Sequence, residues 1–173
     1  KTEIEDKLDQ VARETGIDYD ETQRQAMILA MQSPLSVITG GPGTGKTTLI
    51  RGILTLHRLL HGYHQGDVTN PYQTGPVLLA APTGRAAKRM QEMTDIPAST
   101  IHRLIGFNRE TTVEGFDPTP LEGQLLVVDE MSMVDTWLMN WLWMAIGYRI
   151  QVILVGDKHQ LPSVGPGKVF SDL

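Results

Sequence analysis

The 173 residues suffice for one domain with a real core and are too few for two comfortable ones. Apolar residues make up 40% and charged residues 20%, an ordinary globular composition, and the formal net charge of −5 argues against nucleic acid unless cations gather locally. Cysteine is absent, which excludes a disulfide framework and a thiolate metal site and fits a reducing, cytoplasmic setting.

No apolar run reaches the roughly 18 residues a membrane span needs, and the charged opening KTEIEDK lacks a signal-peptide core. The chain has no initiator Met and stops at Leu173, and we expect a piece of a longer protein. EIEDKLDQVARETG puts Ile4, Leu8 and Val11 on one helical face before Gly16, and residues 1–18 read as an amphipathic lead-in helix. Asp20 and Gln23 have capping-box spacing and open a second helix to about Gln32. Four apolar runs follow: LSVIT (Leu35 to Thr39), VLLAA (Val77 to Ala81), QLLVVD (Gln124 to Asp129) and QVILVG (Gln151 to Gly156). Three of them are apolar on both faces, as covered parallel strands are. Helical stretches run from Lys46 to about His61, Thr83 to Met93 and Val134 to Ile146. This alternation predicts an α/β fold, a parallel sheet with helices on both faces. His61 to Pro76 and Asn108 to Gly123 are Gly-, Pro- and polar-rich, and read as surface loops or mobile excursions.

The first strand runs into Gly40-Gly41-Pro42-Gly43-Thr44-Gly45-Lys46-Thr47, a full G-x-x-x-x-G-K-[ST] loop, followed by Thr48 and a helix. Glycines let such a loop curl with its N–H groups inward around anionic oxygens, and the helix adds its positive end. Lys46 brings an ammonium to the β and γ phosphates of a nucleoside triphosphate, and the Thr47 hydroxyl can ligate Mg²⁺. Asp129 and Glu130 close the third apolar run, at the sheet edge where ligands of open α/β sheets bind. Asp129 would hold Mg²⁺ through water, and Glu130 would orient and deprotonate an attacking water, so hydrolysis is expected rather than transfer. Gly156, Asp157 and Gln160 end the fourth run, where the Gln160 amide can reach a γ-phosphate. No Asn-Lys-x-Asp base reader is present, which argues against a GTPase.

With these residues in place, the chain resembles the RecD-like DNA helicases of superfamily 1. Six blocks match in family order: YDETQRQA, GGPGTGKTT, APTGRAAKRM, STIHRLIG, VVDEMSMVD and VGDKHQLPSVGPG. The resemblance implies that residues 19–173 form a first RecA-like, P-loop NTPase motor domain that uses ATP and Mg²⁺ and moves 5′ to 3′ on single-stranded DNA. It implies adenine reading by Gln23, nucleotide contacts from Gly41, Pro42, Gly43, Thr44, Gly45, Lys46, Thr47 and Thr48, and DNA contacts from Thr83, Arg85, Thr100 and His102. The residues themselves are compatible: Thr83 suits a helix N-cap beside Arg85, Lys88 and Arg89, a local basic site in an acidic chain. The motifs of a second motor domain, including the one that carries an arginine finger, are absent from these residues. We therefore expect this piece to bind ATP, hydrolyse it poorly and not unwind DNA by itself.

His57 and His61 stand four apart, but without a metalloprotease motif they read as exposed histidines near a loop. Trp137, Trp141 and Trp143 could form a stacking platform for single strands, although their Leu and Met neighbours favour a core helix. Met27, Met31, Met90 and Met93 read as core filler. Two rivals stay open, a P-loop ATPase acting on RNA or protein, and a nucleotide-gated strand-binding module. Protein partners other than a second motor domain of the same parent chain are not specified by the residues.

Overall fold

A computed structural model describes residues 3–40, 45–64 and 75–157. In chain order the elements are α1 (Glu3–Thr15), α2 (Glu21–Gln32), β1 (Leu35–Thr39), α3 (Lys46–His61), β2 (Val77–Ala81), α4 (Gly84–Thr94), β3 (Ala98–Thr100), α5 (Ile101–Leu104), β4 (Leu125–Val128), a 3₁₀ turn (Met131–Met133), α6 (Thr136–Ile146) and β5 (Gln151–Gly156). The five strands are all parallel in the order β1-β5-β4-β2-β3. This is the expected α/β, RecA-like architecture.

Strand alternation divides the core in two. Leu125 and Val127 of β4, with Leu79, Ile153 and Val155, face a core built with α1–α4. Leu126 and Val128, with Leu78, Val152 and Leu154, face the other core under α5, the 3₁₀ turn and α6. Side chains of period two thus meet helices on both sides, which is why β2 and β4 read as unbroken apolar runs. Strand β1 is different: it pairs only with β5 among the described residues, and Leu35 and Val37 are exposed.

Helices α2 and α3 approach closely at Gly52, where a Cβ would lie 2.9 Å from Met27 Cε and from Tyr19 Cζ. The Tyr19 hydroxyl donates to the Thr48 carbonyl at 3.2 Å. Gln151 at the start of β5 donates to the Ser33 carbonyl at 2.8 Å and to the Ala30 carbonyl, satisfying acceptors at the C-terminus of α2. These contacts lock the α2 segment onto the first turns of α3 and onto the start of β5.

Several expectations need correction. The helix expected from Val134 starts at Thr136, because Asp135 caps it by accepting from Leu138 N–H and the preceding residues form the 3₁₀ turn. Strand β3 and the short α5 were not anticipated, since three and four residues are too few for a pattern to repeat. The segment after Asn108 is irregular but anchored: Thr119 N–H donates to Ile105, Leu121 N–H to Ala145, and Phe116 packs on Phe107 and Trp141. Leu138, Met139, Leu142, Ala145 and Ile146 carry α6 into the core, but the core reading fails for Trp137, 55% exposed, and Trp143, 37% exposed. Met27 and Met90 are buried, as expected of filler. Among the described residues no helix is long and apolar enough to cross a membrane.

His57 is buried, not exposed. It continues the Ile50, Ile53, Leu54 stripe of α3, stacks on His61 at 4.0 Å and shares a 2.7 Å hydrogen bond with the Tyr63 hydroxyl. Burial first, and neighbouring His61 second, lower its pKa from 6.5 to about 4. The unfolded chain binds a proton there that the folded chain refuses, so this contribution is fully present above pH 6.5 and is lost as pH falls toward 4. The loss between pH 7 and pH 5 should be about 2 kcal/mol. Urea unfolding at the two pH values checks this: His57→Gln should show a smaller pH dependence than wild type, and equal losses would locate the effect elsewhere.

Candidate nucleotide site

All strands being parallel, their C-terminal ends share one edge, and Lys46, Thr47, Thr83, Thr100, Asp129 and Glu130 lie at or just after strands that end there. Gly156 at the end of β5 stands opposite Thr39 at the end of β1, so buried Asp157 follows beside Gly40. Strand β5 separates β1 from β4, leaving a one-strand gap between the loop after β1 and the acidic pair after β4. Gly41, Pro42, Gly43, Thr44 and Gln160 lie outside the described residues.

Gly45 sits in the left-handed region at φ 80° and opens α3 without a side-chain cap. By contrast α2, α4 and α6 are capped by Asp20, Thr83 and Asp135. Among the described residues no side chain caps the first N–H groups of α3, which lie in the same turn as Lys46 and Thr47. An anion with several oxygens would satisfy them, and that donor set fits a triphosphate.

Asp129 is partly buried. Burial raises its pKa, against the opposing pull of the Glu130 N–H, then of Lys46 and Arg89. The Glu130 N–H donates to Asp129 Oδ1 at 2.8 Å, and Ala80 accepts from the Asp129 N–H at 3.0 Å. Glu130 itself has φ 56°, a left-handed conformation unusual for a residue with a Cβ. The 3₁₀ turn holds it there, with Met133 N–H donating to the Glu130 carbonyl. Among the described residues no group of three His, Cys, Asp or Glu could hold a metal. Mg²⁺ at a triphosphate needs only one or two protein ligands besides phosphate and water, and Thr47 with Asp129 fits that demand.

Gln23 meets the loop from the other side. Its Oε1 accepts from Asp20 N–H at 3.0 Å while its own N–H donates to Asp20 Oδ1 at 2.8 Å, completing the predicted capping box. Its Nε2 lies 3.4 Å from where a Gly45 Cβ would stand. The amide is thus presented at the rim of the loop.

The predicted DNA-contact residues follow β2 and β3 at the same edge: Thr83 and Arg85 open α4, Thr100 ends β3, and His102 lies on α5. Thr83 Oγ1 accepts from Ala86 N–H and Thr100 Oγ1 from Arg103 N–H, each at 3.2 Å. Arg85 is exposed, and His102 packs its ring edge against Phe107. A groove of about 240 Å³ runs between α4 and β3, lined by Lys88, Gln91, Ser99, Thr100 and Arg103 among others. Ser99 and Arg103 line the groove without having been singled out from the sequence; Ser99 adjoins Thr100, and Arg103 follows it by three residues. Another cavity of about 230 Å³ lies toward the far end of α3, between Arg51, Arg58, Tyr63 and Asp95. Size alone would rank it equal, but it holds none of the predicted site residues.

One contact was not foreseen. Arg89, read as part of a phosphate-binding helix face, lies 3.7 Å from Glu130 Oε1.

A family model described as an AAA domain matches residues 23–166. The RecBCD enzyme subunit RecD of Mycolicibacterium smegmatis is 36% identical over 181 residues, covering 94% of this chain and 31% of that protein. The ATP-dependent RecD2 DNA helicase of Deinococcus radiodurans is 41% identical over 138 residues, covering 77% of this chain and 17% of that one. The chain therefore spans no more than about a third of the length of these curated relatives. Among solved structures, the Pif1 helicase from Candida albicans aligns with a TM-score of 0.61 at 27% identity over 86% of this chain and 34% of its own. Bacteroides Pif1 bound to ssDNA aligns with a TM-score of 0.56 at 25% identity over 91% of this chain and 37% of its own. Strand order, P-loop position and these likenesses agree: the chain belongs to the AAA-domain family and, within it, to the RecD-like helicases of superfamily 1.

Proposed function

We propose that residues 19–173 are the first motor domain of an ATP-dependent DNA helicase that moves 5′ to 3′ on single-stranded DNA, with a second motor domain elsewhere in the parent chain. The observation that carries this reading is the uncapped α3 N-terminus with Lys46 and Thr47, across one strand from Asp129 and Glu130. The printed names of the relatives, an ATP-dependent DNA helicase and a Pif1 bound to ssDNA, support it.

ATP with Mg²⁺ supplies a phosphoanhydride bond to break and a cation that neutralises charge on its oxygens. Lys46 and the α3 N–H groups hold the phosphates. Thr47 and Asp129 would hold the cation. Glu130 orients a water and takes its proton, Gln160 senses the γ position, and Gln23 reads the base. Thr83, Arg85, Thr100 and His102 follow the strand backbone beside the α4–β3 groove. Alone, the chain binds ATP but turns it over slowly, because arginine fingers of the kind carried by second motor domains contribute about 10³ to 10⁵ in rate.

Titrating labelled oligonucleotides tests the substrate class. Single-stranded DNA should bind more tightly than RNA of the same sequence, with a log–log salt slope of about −0.7 per neutralised phosphate. Its affinity should also differ between ATP-analogue and ADP states. Equal or tighter RNA binding would favour an RNA-directed ATPase.

A further inference from the structure

Arg89 joins two parts of the molecule that the proposed function treats separately. It stands on α4, four residues after Arg85 and one after Lys88, so that it shares the exposed face of Arg85. Its side chain is 54% exposed, yet its guanidinium reaches Glu130 at the end of β4, whose side chain is 18% exposed. At 3.7 Å the pair is an ion pair without a hydrogen bond, and the Glu130 oxygen is turned toward α4. The carboxylate is held on a left-handed residue that leaves its backbone little room to redirect it.

Building on the proposed role of Glu130 and on strand binding along α4, we propose that Arg89 restrains Glu130 until a strand phosphate takes the guanidinium. Energies favour the exchange. A half-exposed ion pair at this distance, without a hydrogen bond, is weak. A phosphate offers the same guanidinium bidentate, charge-assisted hydrogen bonds of roughly twice ordinary strength. A strand at Arg85 brings its next phosphates within a helical turn of Arg89. Freed of Arg89, Glu130 can turn toward the nucleotide and the water it activates. Arg89 is thus a positioning residue: it touches neither nucleotide nor water, and makes turnover respond to DNA.

Steady-state ATP hydrolysis by the complete parent protein, with and without oligo(dT), tests this in wild type, Arg89→Ala, Arg89→Lys and Glu130→Gln. Arg89→Ala should raise the DNA-free kcat about two- to fivefold, the size of a lost surface ion pair. The KM for ATP should stay the same, the DNA-saturated rate should stay within twofold of wild type, and the stimulation ratio should fall accordingly. Arg89→Lys, which keeps the charge but not the bidentate fork, should keep the low DNA-free rate and need more oligo(dT) than wild type for half-maximal stimulation. A DNA-free rate that is unchanged or lower in Arg89→Ala, with Glu130→Gln inactive, overturns the restraint and leaves the catalytic reading intact. Full activity in Glu130→Gln would overturn both together. Unchanged ATP-analogue affinity in Arg89→Ala shows that the fold is intact when the rates are compared.

Discussion

Replacing Lys46 with alanine is expected to lower ATP affinity by about 10² to 10⁴, because two charge-assisted hydrogen bonds of about 1.5–3 kcal/mol each are lost. The expectation is specific to position. Lys46 is the first residue of a helix that starts at a left-handed glycine with no side-chain cap, so in the proposed role its ammonium and the N–H groups of that turn share one anion. Lys46 also belongs to the small set of cations acting on Asp129, whose pKa burial already raises. Its removal takes positive charge from both the phosphate and the carboxylate side. Because Lys46 is only partly buried at the sheet edge, the fold should survive. Isothermal titration with a nonhydrolysable ATP analogue and Mg²⁺ reads the effect, and thermal melting controls for folding. An affinity within threefold of wild type would remove the phosphate-binding role from Lys46.

Glu130→Gln in the complete parent protein separates chemistry from binding. The amide has the shape of the carboxylate but cannot take a proton from water, so kcat should fall by about 10² to 10⁴. Analogue affinity should stay within about twofold, since the proposed phosphate contacts lie on α3 and the proposed cation ligands are Thr47 and Asp129. The Glu130 N–H bond to Asp129 Oδ1 is a backbone contact and survives the change. Single-turnover hydrolysis with radiolabelled ATP gives the rate. Wild-type turnover would assign the water-activating role to another group.

How much of this was legible beforehand depends on how local each feature is. The capping box of Asp20 and Gln23, the strand VLLAA, the strand QVILVG and the helix from Lys46 all appear where the chain's own periods put them. Their determinants lie within a few residues: an apolar run, a glycine break, a capping side chain. The two-sided burial of β4 was likewise readable, because four consecutive apolar residues need two cores. His57 was misread although the signal existed, since it falls on the stripe of Ile50, Ile53 and Leu54 seven residues along. A histidine on an apolar stripe is buried when a partner such as Tyr63 satisfies its ring nitrogen, and that partner lies beyond the helix end.

The sequence by itself determined the kind of protein this is. A glycine loop between strand and helix, and an acidic pair at a later strand end, specify a nucleotide site through short-range backbone geometry. Only tertiary structure decided that β5 lies between the loop and the acids, that α4 and α6 cover opposite faces, and that Arg89 meets Glu130. Those facts depend on strand order and on which side of the sheet each crossover helix packs. Both are set by how the whole set of apolar faces is buried together, and no single segment carries that information.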